Sequence, residues 1–459
     1  MKKNIQEEKI NRAYSPSKCM KKTNENNLST IVAIATPIGE GGISVIRLSG
    51  KDSLKIAQRI ITFSNPKPRM MLFTKLSANN IQDEVMAVYF KAPNSFTGED
   101  VVEIHCHGSM LLSKKIVDSL ISYGAKAAES GEFTRRAFLN NKLDLSRAEG
   151  LLNLIKSTSE SALNASFNQM TGAVYQEIDS LQIAVRSLMA HSLSAIDYPE
   201  EDLEEQTKSE MNDGLNKVLK KLTALENSYH QTAVVRDGVK VAIVGLPNEG
   251  KSLLFNRLLG QDRAIVTVEA GTTRDTLEES YLYKGIRFVI IDTAGIHNGK
   301  GEAEKAGIIR SQQALEGADC LIAVCEVSKD FTLELPKDKP VVFVKNKMDL
   351  HGEENKKATF LEISALKNQN IEKVKEAVFE KTAGKVATTG NTLGSARQLS
   401  AVLEAKNILS KTVKNLKIQS IDCILSDLQE VSRILGTITG ETANDKLIDE
   451  IFARFCVGK

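Results

Sequence analysis

Residues 239–252 read Val-Lys-Val-Ala-Ile-Val-Gly-Leu-Pro-Asn-Glu-Gly-Lys-Ser. The apolar run Val241, Ile243, Val244 predicts a buried strand, and Gly245 and Gly250 permit a tight turn behind it. Lys251 and Ser252 then open a helix whose apolar side chains are Leu253, Leu254, Leu258 and Leu259. A Gly-x-x-x-x-Gly-Lys-Ser run between a strand and a helix gathers backbone N–H groups around one small volume. Glycine is needed there because a side chain would hold those donors away from the phosphates they cradle. Lys251 would sit on the β- and γ-phosphates, and the Ser252 hydroxyl would be a ligand of Mg²⁺. The stretch implies a nucleoside triphosphate surrounded by Asn248, Glu249, Gly250, Lys251, Ser252 and Leu253.

Three later segments say which nucleotide. The run Phe288–Ile291 ends in Asp292-Thr293-Ala294-Gly295, where a strand-end Asp meets Mg²⁺ through water and the Gly N–H senses the γ-phosphate. Val341–Val344 leads into Asn346-Lys347-Met348-Asp349. The Asp349 carboxylate can accept from both N1–H and N2–H₂ of guanine, whereas adenine would leave it unpaired; such a site discriminates by ~10⁴–10⁵. Ser364-Ala365, after a strand Phe360–Ile363, completes the base pocket. In this order behind a phosphate loop, the segments predict a GTPase fold. Ras-like proteins carry a water-positioning Gln after the Gly of the second motif; here Ile296 stands in that place and cannot orient water. Two side chains offer substitutes. Asn248 presents a carbonyl oxygen beside the phosphates that could hold a monovalent cation, a charge-neutralising role worth ~10³–10⁵ in rate when an arginine supplies it. Glu304 could polarise the attacking water, although as a bare sequence position it reads more readily as a surface helix residue.

The 459 residues are enough for about three domains. With 60 Lys+Arg against 58 Asp+Glu the formal charge is +2, so nucleic-acid contact would require a local patch. The six cysteines form no Cys-x-x-Cys pair, which fits a reduced cytoplasm. No apolar run approaches the roughly 18–20 residues needed to span a bilayer. Residues 1–27, with seven basic and three acidic side chains and no apolar core, read as a disordered extension, and Glu7, Glu8 and Glu25 argue against a transit peptide.

Residues 28–145 read as a mixed α/β domain, with strands at Ile31–Ala35, Ile43–Leu48, Val85–Phe90 and Val101–His105 and a helix at Leu111–Tyr123. No proline occurs between Pro93 and Pro199 or after Pro340, which permits long helices. Leu215, Val218, Leu219, Leu222, Leu225 and Tyr229 share one helical face, as do Ile421, Ile424, Leu425, Leu428, Val431, Ile434 and Leu435. The economical division is a helical domain, 146–235 and 385–459, interrupted by an inserted α/β GTPase domain at 236–384; two separate helical domains are the other reading. Pro199-Glu200-Glu201-Asp202-Leu203-Glu204-Glu205 reads as a solvated acidic loop. His105-Cys106-His107 alternates along a strand without a third ligand, so a structural role is preferred to a metal.

Other stretches carry a family resemblance: Thr30-Ile-Val-Ala-Ile-Ala-Thr-Pro37, Asn94-Ser-Phe-Thr-Gly-Glu-Asp100 and Gly131-Glu-Phe-Thr-Arg-Arg-Ala-Phe-Leu-Asn140, then Lys142-Leu-Asp-Leu145, Ile196-Asp-Tyr-Pro-Glu-Glu-Asp202, Gly271-Thr-Thr-Arg-Asp275 and Phe455-Cys-Val-Gly-Lys459. Together they resemble the bacterial tRNA modification GTPase family MnmE (TrmE) from Thr30 to Lys459. The resemblance implies a three-part architecture: an α/β N-terminal folate-binding and dimerisation domain, an all-α helical domain and a P-loop GTPase domain inserted into it. It implies a potassium-activated, cytoplasmic, homodimeric GTPase that works with the flavoprotein MnmG (GidA, which carries FAD) as a heterotetramer. The chemistry it implies is addition of an aminomethyl or carboxymethylaminomethyl group to C5 of the wobble uridine U34 of certain tRNAs, with a one-carbon unit from 5,10-methylenetetrahydrofolate.

In that family Asn248, Thr267, Glu269 and Thr272 match the potassium positions, and Val268, Ala270 and Gly271 lie in the same nucleotide-binding loop. Thr273 joins Ser252 on Mg²⁺, Glu304 matches the catalytic glutamate, and Cys456 matches the C-terminal cysteine. Arg47, Glu103, Lys142 and Lys459 match the folate positions. Physically, Arg47 and the lysines suit an anionic glutamate tail and Glu103 suits a pterin amino edge, for which 5-formyltetrahydrofolate is an analogue. Two places depart from the family pattern: His297 where Arg is usual, and the Gly-rich run Asn298-Gly-Lys-Gly301. The competing reading is an Era-like ribosome-assembly switch without modification chemistry, against which residues 385–459 show helical periodicity and no Gly-x-x-Gly clamp.

Overall fold

The computed structural model describes residues 29–197, 201–260, 279–292, 315–328, 331–350, 360–384 and 392–459. The expectations for residues 1–27, Thr267–Thr273, Thr293–Gly295, His297, 298–301 and Glu304 fall outside the described residues. The chain forms two units.

The first unit contains residues 29–149 with Ile178–Met189 and Leu425–Lys459. Its six strands are β1 (Ile31–Ile34), β2 (Gly41–Ser49), β3 (Leu72–Ala78), β4 (Ile81–Phe90), β5 (Val101–Gly108) and β6 (Lys126–Ala127), in sheet order β3-β4-β5-β2-β1-β6. All pairs are antiparallel except β1 with β6. Period-two alternation decides which residues enter the core. Ile46, Leu48, Val102, Ile104 and Cys106 pack with Ile116 and Leu120 of the helix Met110–Ser122. Arg47, Glu103 and His105 therefore stand on the opposite face, where Ile31, Ala33, Ala128 and Phe133 form a second cluster.

The carboxyl end of the chain is stitched to this sheet through close backbone approaches. Phe452, from the helix Asp445–Phe452, meets Phe138 with ring centroids 6.0 Å apart. Val457 bridges to Ser130. Gly131 has φ +68, and a Cβ there would lie 2.3 Å from the Phe452 carbonyl oxygen; Gly458 has φ +94, and a Cβ there would lie 2.3 Å from the Ile34 carbonyl oxygen. Both positions are closed to side chains by sterics and by dihedral.

The second unit contains Gly150–Glu177 and the described part of 190–424. Its strands are β7 (Val239–Val244), β8 (Glu279–Tyr283), β9 (Ile286–Asp292), β10 (Cys320–Glu326), β11 (Val341–Asn346) and β12 (Leu361–Glu362), in sheet order β12-β11-β10-β7-β9-β8. All neighbours run parallel except β8 with β9. The burial of Val241–Val244 in β7 and of Cys320–Cys325 in β10 without alternation suits strands covered on both faces. Helices Lys251–Leu259 and Ile371–Thr382 supply Leu254, Leu258, Val374 and Val378 to this core. The helix Glu201–Asp237 packs on Ala396–Asn415, joined by a Lys406–Glu226 ion pair at 2.5 Å. Arg236 at its end donates to the Gly394 carbonyl at 2.7 Å and stacks over Tyr229.

One expectation is corrected. Glu201–Glu205 is the first part of the helix Glu201–Asp237 and not a loop. Acidic residues following a proline are favourable in a first helical turn, where they meet the positive end of the helix dipole. The facial pattern farther along that helix is as expected, with Leu215, Val218, Leu222 and Leu225 buried.

The terminal docking has a direct consequence. Gly458→Val is expected to lower unfolding stability by about 1–3 kcal/mol, the range for forcing a side chain into a positive-φ, sterically closed position. Denaturant titration checks the size. Hydrogen exchange checks the place, because the Gly131 amide, which donates to the Cys456 carbonyl at 3.4 Å, should lose protection.

Candidate functional site

In the second unit the phosphate loop leaves the carboxyl end of β7, the strand flanked by β9 on one side and β10 on the other. Connections departing to opposite sides of a parallel sheet leave a crevice at that point, the usual place for a ligand in open α/β sheets. The register pairs Ile243 with Asp292, so the predicted magnesium-facing Asp ends its strand beside the start of the loop.

The loop conformation follows from its sequence. Asn248 adopts φ +65 and Gly250 φ +87, both left-handed, which Asn and Gly tolerate best. Gly250 is the N-cap of the helix Lys251–Leu259. A Cβ on Gly250 would lie 2.3 Å from Asn346 Nδ2, and a Cβ on Gly245 would lie 2.3 Å from the Val324 carbonyl oxygen. Both glycines are thus required by close approach. Lys251 Nζ donates to the Leu246 carbonyl at 2.9 Å, spanning the loop that would hold the phosphates. The buried Glu249 carboxylate accepts the Leu246 N–H at 2.5 Å. Asn248, Ser252 and Leu253 are exposed at the loop and the first helical turn.

The two base-recognition segments are already assembled against this loop. Asn346, buried at the end of β11, donates Nδ2 to the Glu249 carbonyl at 2.9 Å and accepts the Ala365 N–H on Oδ1 at 3.0 Å. The Ser364 hydroxyl donates to Asp349 Oδ1 at 2.5 Å and accepts the Lys367 N–H at 3.1 Å. That donated hydrogen bond holds the half-buried Asp349 carboxyl below the usual carboxylate range. Lys347, at φ +67, reaches Glu326 at 3.5 Å. The structure therefore brings together Glu249, Gly250, Lys251, Asn346, Asp349, Ser364 and Ala365.

In the first unit, Arg47 and Glu103 are register partners on β2 and β5 and form an ion pair at 2.8 Å. Glu103 Oε2 also faces His105 Nε2 at 3.6 Å, and the Arg47 guanidinium lies 5.8 Å from the ring centroids of Phe96 and Phe133. Lys142 donates to the Pro93 carbonyl at 3.0 Å and lines an open cleft of about 430 Å³ with Arg69, Phe90, Asn94, Ser95 and Phe96. Gly458 lies on Ile34, next in chain to Ala33, which is the register partner of Arg47 on β1. The segment that ends in Lys459 thus lies against β1, the strand beside the one that carries Arg47. Cys456 is exposed. Cys106 points into the core, where burial pushes its thiol up, while His107 on the other face bonds Asp83 at 2.6 Å. The three residues of the His-Cys-His run cannot converge on one ion.

Sequence reasoning passed over Arg69, Arg257 and Glu326. Arg257 holds the Ser364-Ala365 loop from the phosphate-loop helix. Its place in the last turn of that helix was visible, but its partners lie 108 and 109 residues away.

Two family models match the chain: one described as MnmE helical domain over residues 145–456, and one described as GTP-binding protein TrmE N-terminus over residues 30–142. The chain is 40% identical over 454 residues to the tRNA modification GTPase MnmE of Natranaerobius thermophilus, covering 94% of this chain and 99% of that one. It is 39% identical over 458 residues to the protein of the same name from Clostridioides difficile, with 94% and 99% covered. Among solved structures, the G domain of the T. maritima FeoB iron transporter is 27% identical with a TM-score of 0.25, over 31% of this chain and 98% of that chain. The expected fold class is borne out: a TrmE-type α/β N-terminal domain, a helical domain and a P-loop GTPase sheet.

Removing the Ser364 hydroxyl tests the base-site electrostatics. In Ser364→Ala the Asp349 carboxyl should titrate at higher pH than in the unchanged protein. A group held low in the folded state stabilises above the ordinary carboxylate value and loses that contribution as pH falls through the lowered one. Carboxyl-carbon NMR titration of Asp349 reads the shift, and an unmoved midpoint would remove Ser364 as its cause.

Proposed function

The chain belongs to the MnmE (TrmE) family of tRNA modification GTPases, and we propose that it hydrolyses GTP to drive modification of C5 of the wobble uridine in certain tRNAs. The single observation that carries this reading is the extent of the match. The helical-domain model runs from 145 to 456, directly across the phosphate loop, and the N-terminal model accounts for 30–142. A stand-alone GTPase switch has no use for both flanks. The division at 146–235, 236–384 and 385–459 belongs to the same proposal.

The residues take the following roles. Backbone N–H groups of 248–252 and the Lys251 ammonium hold the β- and γ-phosphates. Lys251 leaves the Leu246 carbonyl to do so, exchanging a neutral acceptor for a charged one, which favours the bound state. Asp349, kept ionised by Ser364, receives the guanine edge. The Ser252 and Thr273 hydroxyls would hold Mg²⁺, which screens phosphate charge. The exposed Asn248 carboxamide in its left-handed turn suits a cation ligand, and with Thr267, Glu269 and Thr272 it would hold K⁺. Glu304 positions the attacking water.

In the first unit the Arg47–Glu103 pair and Lys142 would receive a methylene-tetrahydrofolate, with Lys459 from the carboxyl terminus and Cys456 beside it. Arg47 and Glu103 hold one another on the sheet face, so each enters a ligand already oriented. The working assembly proposed is a cytoplasmic homodimer with MnmG, whose FAD supplies redox chemistry.

Incubation with MnmG, tRNA, GTP, K⁺ and methylene-tetrahydrofolate should yield U34 carrying an aminomethyl or carboxymethylaminomethyl group, read by nucleoside mass analysis. No product with active MnmG would overturn the modification role. Glu304→Ala should retain GTP binding while hydrolysis falls by roughly 10²–10⁴, the usual contribution of a positioned acid–base group. Replacing K⁺ by Na⁺ should slow the unchanged protein and leave Asn248→Ala indifferent to the exchange.

A further inference from the structure

The helix Lys251–Leu259 carries Arg257 as the basic residue of its last turn. A cation in that place is ordinarily accounted for by the partial negative charge of a helix C-terminus. Here the guanidinium reaches out of the helix to another loop: Nε donates to the Ala365 carbonyl and Nη2 to the Leu366 carbonyl, each at 2.9 Å. Two neighbouring carbonyls matched by two donors of one planar fork is a geometry that arginine provides and lysine does not.

The same peptide is gripped from its other side. The Ala365 N–H donates to Asn346 Oδ1 at 3.0 Å, and Asn346 Nδ2 donates to the Glu249 carbonyl at 2.9 Å, just before the helix begins. The nine-residue helix is about 13 Å long. It is therefore fastened to Ala365 at both ends, by Asn346 near its N-terminus and by Arg257 near its C-terminus. Ser364, next in chain, bonds the Asp349 carboxylate at 2.5 Å.

We infer that Arg257 is a positioning residue for guanine selection: it fixes the Ser364–Leu366 loop against the phosphate-binding helix and so orients the Asp349 carboxylate toward the base. The inference rests on the guanine-site reading and adds to it a residue outside the recognition motifs. Without Arg257 the Ala365 and Leu366 carbonyls lose their guanidinium partner while the Asn346 contact and the Ser364–Gln369 backbone pair remain, so Ser364 is less constrained and Asp349 accepts two donors less well than one.

The test titrates the full chain, Arg257→Ala and Arg257→Lys with GDP and with inosine diphosphate, which lacks the 2-amino group, in Mg²⁺. The unchanged protein should prefer GDP. Arg257→Ala should bind GDP about tenfold more weakly, the scale of a charge-assisted hydrogen-bonded contact. Inosine diphosphate should lose less, so the preference contracts; Arg257→Lys should recover part of it. A merely structural role would lower the thermal midpoint and the competent fraction while leaving the GDP-to-inosine ratio unchanged, and an unchanged ratio overturns the inference. Should the Ala variant fail to fold, the ratio in Arg257→Lys decides by the same criterion. Absence of any GDP preference in the unchanged protein would instead overturn the guanine-site reading, and the inference with it.

Discussion

The Asn346 carboxamide is the contact on which the nucleotide site depends. One side chain, buried between two loops, satisfies a carbonyl of the phosphate loop and an N–H of the base loop. Both are backbone groups that burial would otherwise leave unpaired, at a cost of about 1–3 kcal/mol each. An aspartate there could not donate to Glu249, and a serine could not span the gap. The requirement for asparagine thus comes from hydrogen-bond bookkeeping within the protein as much as from any ligand. The Gly250 position follows from it, because Asn346 Nδ2 occupies the space a Cβ would need.

A comparable constraint organises the first unit, where alternation on β2 and β5 sends apolar residues to one face and leaves Arg47, Glu103 and His105 on the other. The ion pair between Arg47 and Glu103 is partly shielded rather than fully exposed, which makes its orientation more valuable than its energy. Two glycines then admit the chain terminus to the same sheet. Had either carried a side chain, Lys459 would be displaced from the neighbourhood of β1. The approach of the terminal segment to this sheet thus rests on two residues with no side chain at all.

Legibility in the sequence followed the range of the interaction. The β7 strand, the left-handed loop and the helix after it are consequences of adjacent residues, and they stand where periodicity and glycine placement put them. Strands β2, β4 and β5 extend beyond their apolar runs by one to four residues, because ladder bonds continue past the residues that need burial. Strand β10, with seven consecutive residues of which six are buried, carried no alternation to read and was not singled out. The acidic run at Glu201 misled because charge suggests solvent, whereas the helix dipole makes the same charge favourable. Arg257 was invisible for a different reason. Its partners are carbonyl groups, which every residue has, so no side-chain motif announces the contact.

Positive φ occurs in both units, at Arg69, Asn141 and Lys284 among others, and the loops around the nucleotide crevice hold Asn248, Gly250 and Lys347 in that conformation. For Gly the conformation is free, and for Asn it is tolerated; for Lys347 it costs about 1–2 kcal/mol. A lysine remains there although glycine or asparagine would be cheaper, so its side chain must return something. Its ammonium reaches Glu326 at the end of β10, the strand beside β7 in the sheet. That contact, at 3.5 Å and partly exposed, recovers only about 0–1 kcal/mol and cannot by itself offset the strain. The rest is met by the backbone bonds of the turn itself, in which the Leu350 N–H donates to the Lys347 carbonyl at 3.0 Å and the Met348 N–H to the Ile363 carbonyl at 3.1 Å.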